Sequence, residues 1–399
     1  MPSPAATAML CACSVLSSTL MIPAVRPFMA SYHGAPEYAL HAFMTVNMVG
    51  AILGAPLFAW LADKTGDRGR LLIGLAVVDG GLLLACTAPL PVGAILGLRT
   101  LQGAANVGGL SILMGAARGG DPKKHGRTMG MIGAAIMGAV ALGAPLGTLL
   151  LSLGPAAPAI AGGCLQLGVA AYLVRYRVPA TGRSERTRHP FRLLREAPLL
   201  RLPTLWVTAE RFTVGTFVVS FALYGHRALE LSDGQVGALF SWFLLPFAIA
   251  TYPLSRLAER IPRAGMLAMG TALYGIAFMI MGVVPASGLW AVMLLAGLSS
   301  AAIYAPSLCY TATLSPKGSR AMAMALVNAG GSLGMMMGTA LAGIASAVLT
   351  RAGWTANELY PAIFFSAGVV ELGVLALSAR TLLDLARRDT NGSTLEAPA

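Results

Sequence analysis

Five charged residues lie inside long apolar runs of this 399-residue chain: Asp79, Arg99, Glu210, Arg211 and Glu371. A charge in such a run is costly, and it normally has a partner or a water-filled cavity. A carboxylate in that setting can take up and release a proton, and a guanidinium can bind an anion or a carboxylate. We therefore expect proton binding and charged-ligand binding inside an apolar scaffold.

Arg99 is the strongest functional candidate, and Asp79 is one possible partner for it. With a rise of about 1.5 Å per residue, Asp79 lies near the middle of a bilayer and Arg99 somewhat towards the outside. The alternative is a static buried pair that packs two helices together. Glu371 is the only acidic residue in its apolar run. It has two equally supported interpretations, a buried hydrogen-bonded contact between helices and a role in proton transfer.

Glu210 and Arg211 are neighbours in the chain and differ by about 100° around a helix. One of them is therefore expected to face a central cavity and the other a neighbouring helix. Glu210 is the predicted proton carrier, and Arg211 suits an anionic group or a carboxylate. An ion pair near the cytoplasmic mouth is the competing interpretation.

The composition indicates the scaffold that must position these residues. Hydrophobic residues make up 56% of the chain and charged residues 11%, whereas soluble domains carry about 25% charged residues. A polytopic membrane protein fits this balance. The net charge of +12 does not indicate nucleic-acid binding, because the basic residues lie in loops and are not interleaved with aromatic residues.

A membrane span needs about 20 mostly apolar residues, and the sequence predicts twelve of them. They lie near 7–28, 38–61, 71–90, 93–116, 128–152, 156–176, 203–226, 235–256, 265–285, 288–311, 320–349 and 359–383. The predicted organisation is an N-terminal six-helix bundle (1–176), a cytoplasmic linker (177–202), a C-terminal six-helix bundle (203–386) and a disordered cytoplasmic tail (387–399). The expected fold class is an all-α membrane protein.

The positions of Lys and Arg predict the orientation. Of the 28 basic residues, 23 fall at the termini and in the loops on one side of the predicted membrane. Cytoplasmic loops carry such an excess. Both termini are therefore predicted to be cytoplasmic, with the protein in the cytoplasmic (inner) membrane.

The two halves carry matching charged segments. Asp63 follows the second span and Glu259 follows the eighth, 196 residues later, while Arg127 and Arg320 open the fifth and eleventh spans 193 residues apart. Two landmarks at nearly one offset indicate a duplicated architecture with two pseudo-symmetric halves.

These motifs resemble the major facilitator superfamily. The segment Leu61-Ala62-Asp63-Lys64-Thr65-Gly66 is similar to the family's loop signature, although Ala59 replaces a glycine and Asp67 intrudes before Arg68. The segment Arg99-Thr100-Leu101-Gln102-Gly103 is similar to a span-four signature that the family associates with proton coupling. The antiporter signature of span five is only partly met, because Ala144 stands where a glycine precedes Pro145.

The resemblance implies roles for particular residues. Asp63 is expected to latch the cytoplasmic side shut against the start of span eleven, within a gating set formed by Asp63, Arg68, Arg70, Glu259 and Arg260. Proton coupling is expected at Arg99, Glu210 and Asp79. The substrate is expected to contact polar and aromatic residues of inward-facing spans, namely Asn47, Gln102, Asn106, Arg211, Trp242, Tyr304 and Asn328. For each of these singly, packing is the alternative.

The predicted function is alternating-access transport, as a proton-coupled antiporter that exports a small amphipathic or lipophilic compound. The expected partners are this substrate, protons and membrane lipid, and the expected state is a monomer. Uptake of an anionic metabolite, with Arg26, Arg99 and Arg211 as anion contacts, is one alternative. A non-transporting sensor or assembly partner is another. The sequence has no nucleophile–base arrangement, metal-ligand cluster or phosphate loop, so no enzyme, cofactor or metal is predicted.

Overall fold

The computed structural model describes residues 3–117, 125–176, 190–316 and 319–390. This part of the chain contains helices joined by turns, so the all-helical prediction is confirmed. The helices are α1 (Pro4–Thr19), α2 (Glu37–Thr65), α3 (Arg68–Ala85), α4 (Val92–Ala116), α5 (His125–Leu151), α6 (Ala157–Arg175), α7 (Pro190–Glu196), α8 (Arg201–Arg227), α9 (Asp233–Leu257), α10 (Arg263–Met281), α11 (Leu289–Leu314), α12 (Arg320–Arg351) and α13 (Ala356–Thr390).

Eight helical segments of the described chain are long and apolar enough to cross a membrane by length and composition. They are Ala42–Thr65, Arg127–Leu151, Ala157–Arg175, Gly234–Leu257, Arg263–Met281, Ala286–Leu314, Arg320–Arg351 and Ala356–Arg387. The other four predicted spans correspond to α1, α3, α4 and α8. Helix α1 is short, and α3, α4 and α8 carry Asp79, Arg99 and the Glu210–Arg211 pair. Three of the four helices outside this set therefore carry buried charged residues.

Several boundaries differ from the predicted ones. Helix α1 ends at Thr19, and a separate π-helical turn, Pro27–Tyr32, follows it. Helix α12 runs unbroken for 32 residues, from Arg320 to Arg351, so it ends two residues beyond the predicted span. Helix α13 continues to Thr390, so the first residues of the predicted tail are helical. Within the predicted linker, 190–200 forms α7 and a short 3₁₀ turn. Residues 177–189 of that linker and 391–399 of the tail lie outside the described chain, as do the basic residues of 118–124 and Lys317.

The helix pairings of the first half recur in the second. Helix α2 packs on α4, α1 on α5, and α3 on α6. The equivalent pairs six spans later also pack together, namely α9 on α11, α8 on α12 and α10 on α13. Contacts between the halves repeat in the same way, because α5 packs on α9 and α11 while α12 packs on α2 and α4. Helices α2, α4 and α5 therefore meet α9, α11 and α12 along a shared central surface.

Glycines allow the closest of these approaches. A Cβ atom on Gly334 would overlap the carbonyl oxygen of Thr208, and one on Gly338 would overlap that of Phe212. A Cβ atom on Gly103 would likewise overlap the carbonyl oxygen of Asn47. Small residues let helix backbones approach closely in membranes. The α2–α4 contact at Gly103 brings Asn47 beside Gln102, which matters for the site.

Candidate functional site

A fully buried carboxylate lies at the centre of the N-terminal half. Oδ1 of Asp79 accepts a hydrogen bond from Nε2 of Gln102 at 2.5 Å, and Oδ2 accepts one from Nδ2 of Asn106 at 2.6 Å. The side-chain amide of Gln166 also donates to Oδ2. Within the described chain, Asp79 is thus held by three neutral amides and by no direct ion pair.

Arg99 reaches this carboxylate through Gln102. Its Nη1 donates to Oε1 of Gln102 at 2.5 Å, and its guanidinium carbon lies 4.8 Å from the centre of the Phe43 ring. The Arg99 side chain is also buried. The expected partnership of Arg99 and Asp79 is therefore indirect, with one glutamine amide between the two charges.

Asn47 joins this network to the central cavity. Its Nδ2 donates to Oε1 of Gln102 at 2.8 Å, and the same residue lines the cavity wall. The Gln102 oxygen therefore accepts from Asn47 and Arg99 while its nitrogen donates to Asp79. A ligand that moves Asn47 would act on all three hydrogen bonds, because such networks are coupled.

The central cavity has a volume of about 240 Å³ and is lined by residues of both halves. Its lining residues are Asn47, Met48, Ala51, Val107, Leu110, Ile136, Met137, Val207, Arg211, Tyr304, Asn328, Gly331, Ser332 and Met335. Four of the predicted substrate contacts, Asn47, Arg211, Tyr304 and Asn328, are among them. Three methionines and Ser332 were not predicted, because a methionine in an apolar span carries no signal that separates cavity from lipid.

Three predicted substrate contacts lie elsewhere. Gln102 and Asn106 are buried in the Asp79 network and do not line the central cavity. Trp242 is 45% exposed, and its ring meets that of Trp290 edge-on at 6.0 Å between centroids. Trp242 therefore faces outwards from the helices. Lipid-facing and cavity-facing sides of α9 are both apolar, so the sequence offers no way to tell them apart.

Arg211 is the one charged residue that lines the cavity within the described chain. Its Nε lies 3.2 Å from Oε2 of Glu210, and its guanidinium carbon lies 5.2 Å from the centre of the Tyr304 ring. Its Nη2 contacts Sδ of Met137 on α5 at 3.5 Å. Arg211 thus faces the cavity and contacts α5 of the N-terminal half, while Glu210 points towards α11.

A second buried polar cluster surrounds Glu210. Oε1 of Glu210 accepts a hydrogen bond from Oγ of Ser300 at 2.5 Å. Oε2 of Glu371 accepts one from Oγ1 of Thr213 at 3.2 Å, and the two carboxylates are 0% and 1% exposed. The hydroxyl of Tyr274 is buried beside them, next to Ser300. Each half therefore contains a buried acidic site connected to the cavity by one lining residue, Asn47 or Arg211.

The predicted gating residues fall into two arrangements. Oδ1 of Asp63 accepts from Nη2 of Arg68 at 2.7 Å, and both side chains are largely buried. Arg70 pairs instead with Asp67, at 3.1 Å, and is 90% exposed. The pair Asp63–Arg68 lies close to the start of α12, near the side chain of Arg320.

Glu259 makes the contact that was expected of its counterpart. Its Oε1 accepts a hydrogen bond at 2.7 Å from the backbone N–H of Arg127, in the first turn of α5. The first N–H groups of a helix have no partner within the helix and attract anions. Arg260 next to it is exposed and makes no side-chain hydrogen bond or ion pair to a described residue. Glu259, in the C-terminal half, thus binds the first turn of α5 in the N-terminal half.

Other close contacts between the halves cluster near the same helix ends. A Cβ atom on Gly115 would overlap Ala321, and one on Gly130 would overlap Ser255. One layer deeper, Nδ2 of Asn328 donates to Oγ of Ser111 at 2.9 Å. The halves are therefore packed together where α4 ends and α12 begins.

Comparison with known proteins places these features in a family. A sequence model described as Major Facilitator Superfamily matches residues 7–228 and 211–397. A search of curated protein sequences found no match. Among solved structures, the human organic anion transporter MFSD10 (TETRAN) is similar, with a TM-score of 0.73 and 19% identity over 94% of this chain and 100% of that chain. A bacterial homologue of the iron transporter ferroportin, in an outward-facing state, has a TM-score of 0.71 and 14% identity over 96% and 98%.

Proposed function

We propose that this chain, which belongs to the Major Facilitator Superfamily, exports a small amphipathic or lipophilic compound in exchange for protons. Transport across a membrane is the activity of the family, and the chain is an integral membrane protein. One observation carries the finer proposal. The central cavity has a buried acidic site on each side, and each site is linked to the cavity wall through one hydrogen-bonded or ion-paired residue.

Alternating access follows from the repeated helix pairing. We propose two six-helix bundles, 1–176 and 203–386, that rock about the shared central surface while the segment 177–202 connects them. Both termini are cytoplasmic in this proposal. The tight contacts at Gly115, Gly130 and Glu259 then close the cytoplasmic end, with Asp63 and Arg68 beside the start of α12.

Proton coupling is assigned to Asp79 and Glu210, with Arg99 acting on Asp79 through Gln102. A proton arriving at Asp79 removes the charge that organises three amide donors, so the orientation of Gln102 and Asn47 changes with protonation. The membrane potential contributes about 2.3 kcal/mol per charge per 100 mV, which is sufficient to drive such a cycle.

The cavity chemistry supports an amphipathic substrate. Aliphatic side chains and methionines form most of the wall, while Asn47, Asn328, Ser332 and Arg211 supply a few polar groups. Small-molecule sites commonly combine an apolar wall with a few orienting polar groups. We propose that a single chain in the cytoplasmic membrane suffices, because the two halves of one chain together line the cavity.

The experiment is transport in proteoliposomes that hold candidate compounds under an imposed pH gradient. Efflux of an amphipathic compound that depends on the gradient, and is lost in Arg99→Ala and Glu210→Gln, supports the proposal. Normal gradient-driven efflux in both variants contradicts the assigned proton sites.

Uptake of an organic anion is a second candidate, favoured by Arg211 on the cavity wall. Of the three arginines expected to contact an anion, Arg26 is exposed outside the cavity and Arg99 is buried behind Gln102. The similar human protein is described as an organic anion transporter. Loss of carboxylate binding in Arg211→Ala, with uptake driven inwards by a proton gradient, supports this candidate over export.

A further inference from the structure

The charges around Arg211 do not balance without a proton. Glu210 and Glu371 are both buried, and Arg211 is the single cation that contacts either of them among the described residues. One guanidinium compensates one carboxylate, and a second uncompensated charge in a low-dielectric interior is costly. Glu371, whose described hydrogen bond comes from the neutral hydroxyl of Thr213, is therefore the one that carries a proton in this state.

The guanidinium that compensates Glu210 is also the group that a ligand meets in the cavity. Arg211 lies on the cavity wall, and its Nε is 3.2 Å from Oε2 of Glu210. The rest of its guanidinium faces the Tyr304 ring and Met137. An anionic ligand group that binds Arg211 competes with Glu210 for this charge. Glu210 would then be a buried carboxylate without a cation, beside a second carboxyl group.

We propose that an amphipathic organic anion binds Arg211 together with the uptake of one proton by Glu210. The proton neutralises Glu210 as its guanidinium partner turns to the ligand. The summed charge of Glu210, Arg211 and the bound anion is then zero, the same as that of Glu210 and Arg211 before binding. This inference rests on proton-coupled transport, which both candidate functions share. It develops the second candidate, uptake of an organic anion, and names the substrate class and the sign of coupling at Arg211. A neutral lipophilic ligand leaves the Arg211–Glu210 pair intact and takes up no proton there.

The groups that face Glu210 from the neighbouring helices fit this exchange. Ser300 and Tyr304 approach from α11, Tyr274 from α10 and Glu371 from α13. Neutral Glu371 supplies no compensating positive charge, so buried Glu210 needs either its guanidinium partner or a proton. The buried hydroxyl of Tyr274 is a further neutral polar group beside Glu210.

The exchange has a consequence for direction. Because an anion and a proton bind together, both travel the same way in one transport cycle. A proton gradient directed inwards would then accumulate the anion inside. Export in exchange for protons is then restricted to compounds that do not bind Arg211. The charge of the substrate therefore separates the two candidate functions: anions are taken up, and compounds without an anionic group are exported.

The test is a proton count on purified protein in weakly buffered detergent solution with a pH-sensitive dye. The probe is 1-octanesulfonate, which keeps its charge at all working pH values, and octyltrimethylammonium is the matched cation. We expect about one proton to be taken up per sulfonate bound and none with the cation. Failure of the sulfonate to bind, or binding without proton uptake, overturns the inference, and neither result requires a variant.

Two variants locate the proton. Glu210→Gln should bind the sulfonate at least as tightly as the wild type, because Arg211 is already released, but without proton uptake. Arg211→Ala should lose sulfonate binding. Undiminished proton uptake in Glu210→Gln contradicts the assignment. If the wild type binds sulfonate without taking up protons but still shows gradient-driven transport, this inference fails and the proposed function stands. If sulfonate binding takes up a proton but no gradient-driven transport is seen, proton-linked anion binding stands and the proposed transport function fails.

Discussion

The side-chain nitrogen of Gln102 lies 2.5 Å from Oδ1 of Asp79, and this contact connects the buried acid to the rest of the N-terminal half. The oxygen of the same amide accepts from Arg99 at 2.5 Å and from Asn47 at 2.8 Å. One uncharged side chain thus separates an arginine from an aspartate and ties both to the cavity wall. The charge of Arg99 acts on Asp79 through a group that can reorient when Asn47 moves.

Replacing Gln102 with leucine should break this connection while keeping the side-chain size similar. Asp79 loses one of three donors and Nη1 of Arg99 loses its acceptor, which costs about 1–3 kcal/mol for each buried polar group left unpaired. We expect a lower unfolding temperature in detergent and at least a tenfold loss of gradient-driven transport, which corresponds to about 1.4 kcal/mol.

The neighbouring Leu101 supplies the control for that change. It lies on the same helix, is 59% exposed and faces away from the network. Leu101→Ala should retain both the stability and the transport of the wild type. A Gln102→Leu protein with unchanged stability and transport would contradict the proposed bridge.

Two glycines of α12 should respond differently to one added methyl group. In Gly338→Ala the new Cβ atom would overlap the carbonyl oxygen of Phe212 on α8, whereas in Gly343→Ala it meets no atom within 4 Å. Overpacking a close contact costs about 1–3 kcal/mol, while alanine is a better helix former than glycine by about 1 kcal/mol. Denaturant unfolding should show Gly338→Ala destabilised and Gly343→Ala unchanged or more stable; equal effects would refute the close α8–α12 packing.

Removing the Glu259 carboxylate should weaken the closed end. In Glu259→Ala the backbone N–H of Arg127 loses its acceptor, which at this exposed position amounts to about 0.5–1.5 kcal/mol, or a twofold to tenfold shift in population. Spin labels at Thr65 and Arg256 should report a larger share of long distances. Arg260→Ala, which removes an exposed neighbouring charge, should leave the distance distribution as it is, and the same shift in both variants would argue against a specific Glu259 contact.

Truncating Asn47 separates the cavity from the Asp79 network. Asn47→Ala removes the donor to Gln102 and a polar group from the cavity wall. We expect the variant still to exchange the compound across the membrane at equal pH, with a higher KM. Accumulation of the compound under an imposed pH gradient should fall. Met48→Leu, on the next position of the same wall, keeps volume and polarity and should retain the coupling. Full gradient-driven accumulation in Asn47→Ala would show that Asn47 is not the link.

The sequence alone located the charges but not what joins them. Asp79 and Arg99 stand out because a charge in an apolar run is rare, and both proved to be buried in one network. Gln102 as the connecting group was not predictable, since its contacts depend on how closely α2 and α3 pack on α4. Gln166 was missed altogether, although an amide in an otherwise apolar run was the available signal.

The faces of the helices were harder to assign than their positions. Tyr304 and Asn328 lie on the cavity wall, whereas Trp242, predicted to join them at the substrate, points outwards. In a soluble protein, polar residues mark the outer face of a helix. In a membrane, lipid and cavity are both apolar surroundings, so the sequence pattern leaves the direction of an aromatic side chain open.

The most direct test of proton coupling through the two acidic sites uses Asp79→Asn in proteoliposomes. Asparagine keeps the shape of a protonated aspartate and cannot exchange a proton. We predict that this variant still exchanges a bound amphipathic compound across the membrane at equal pH but no longer accumulates it under an imposed pH gradient. Gradient-driven accumulation at the wild-type level in Asp79→Asn would contradict the account.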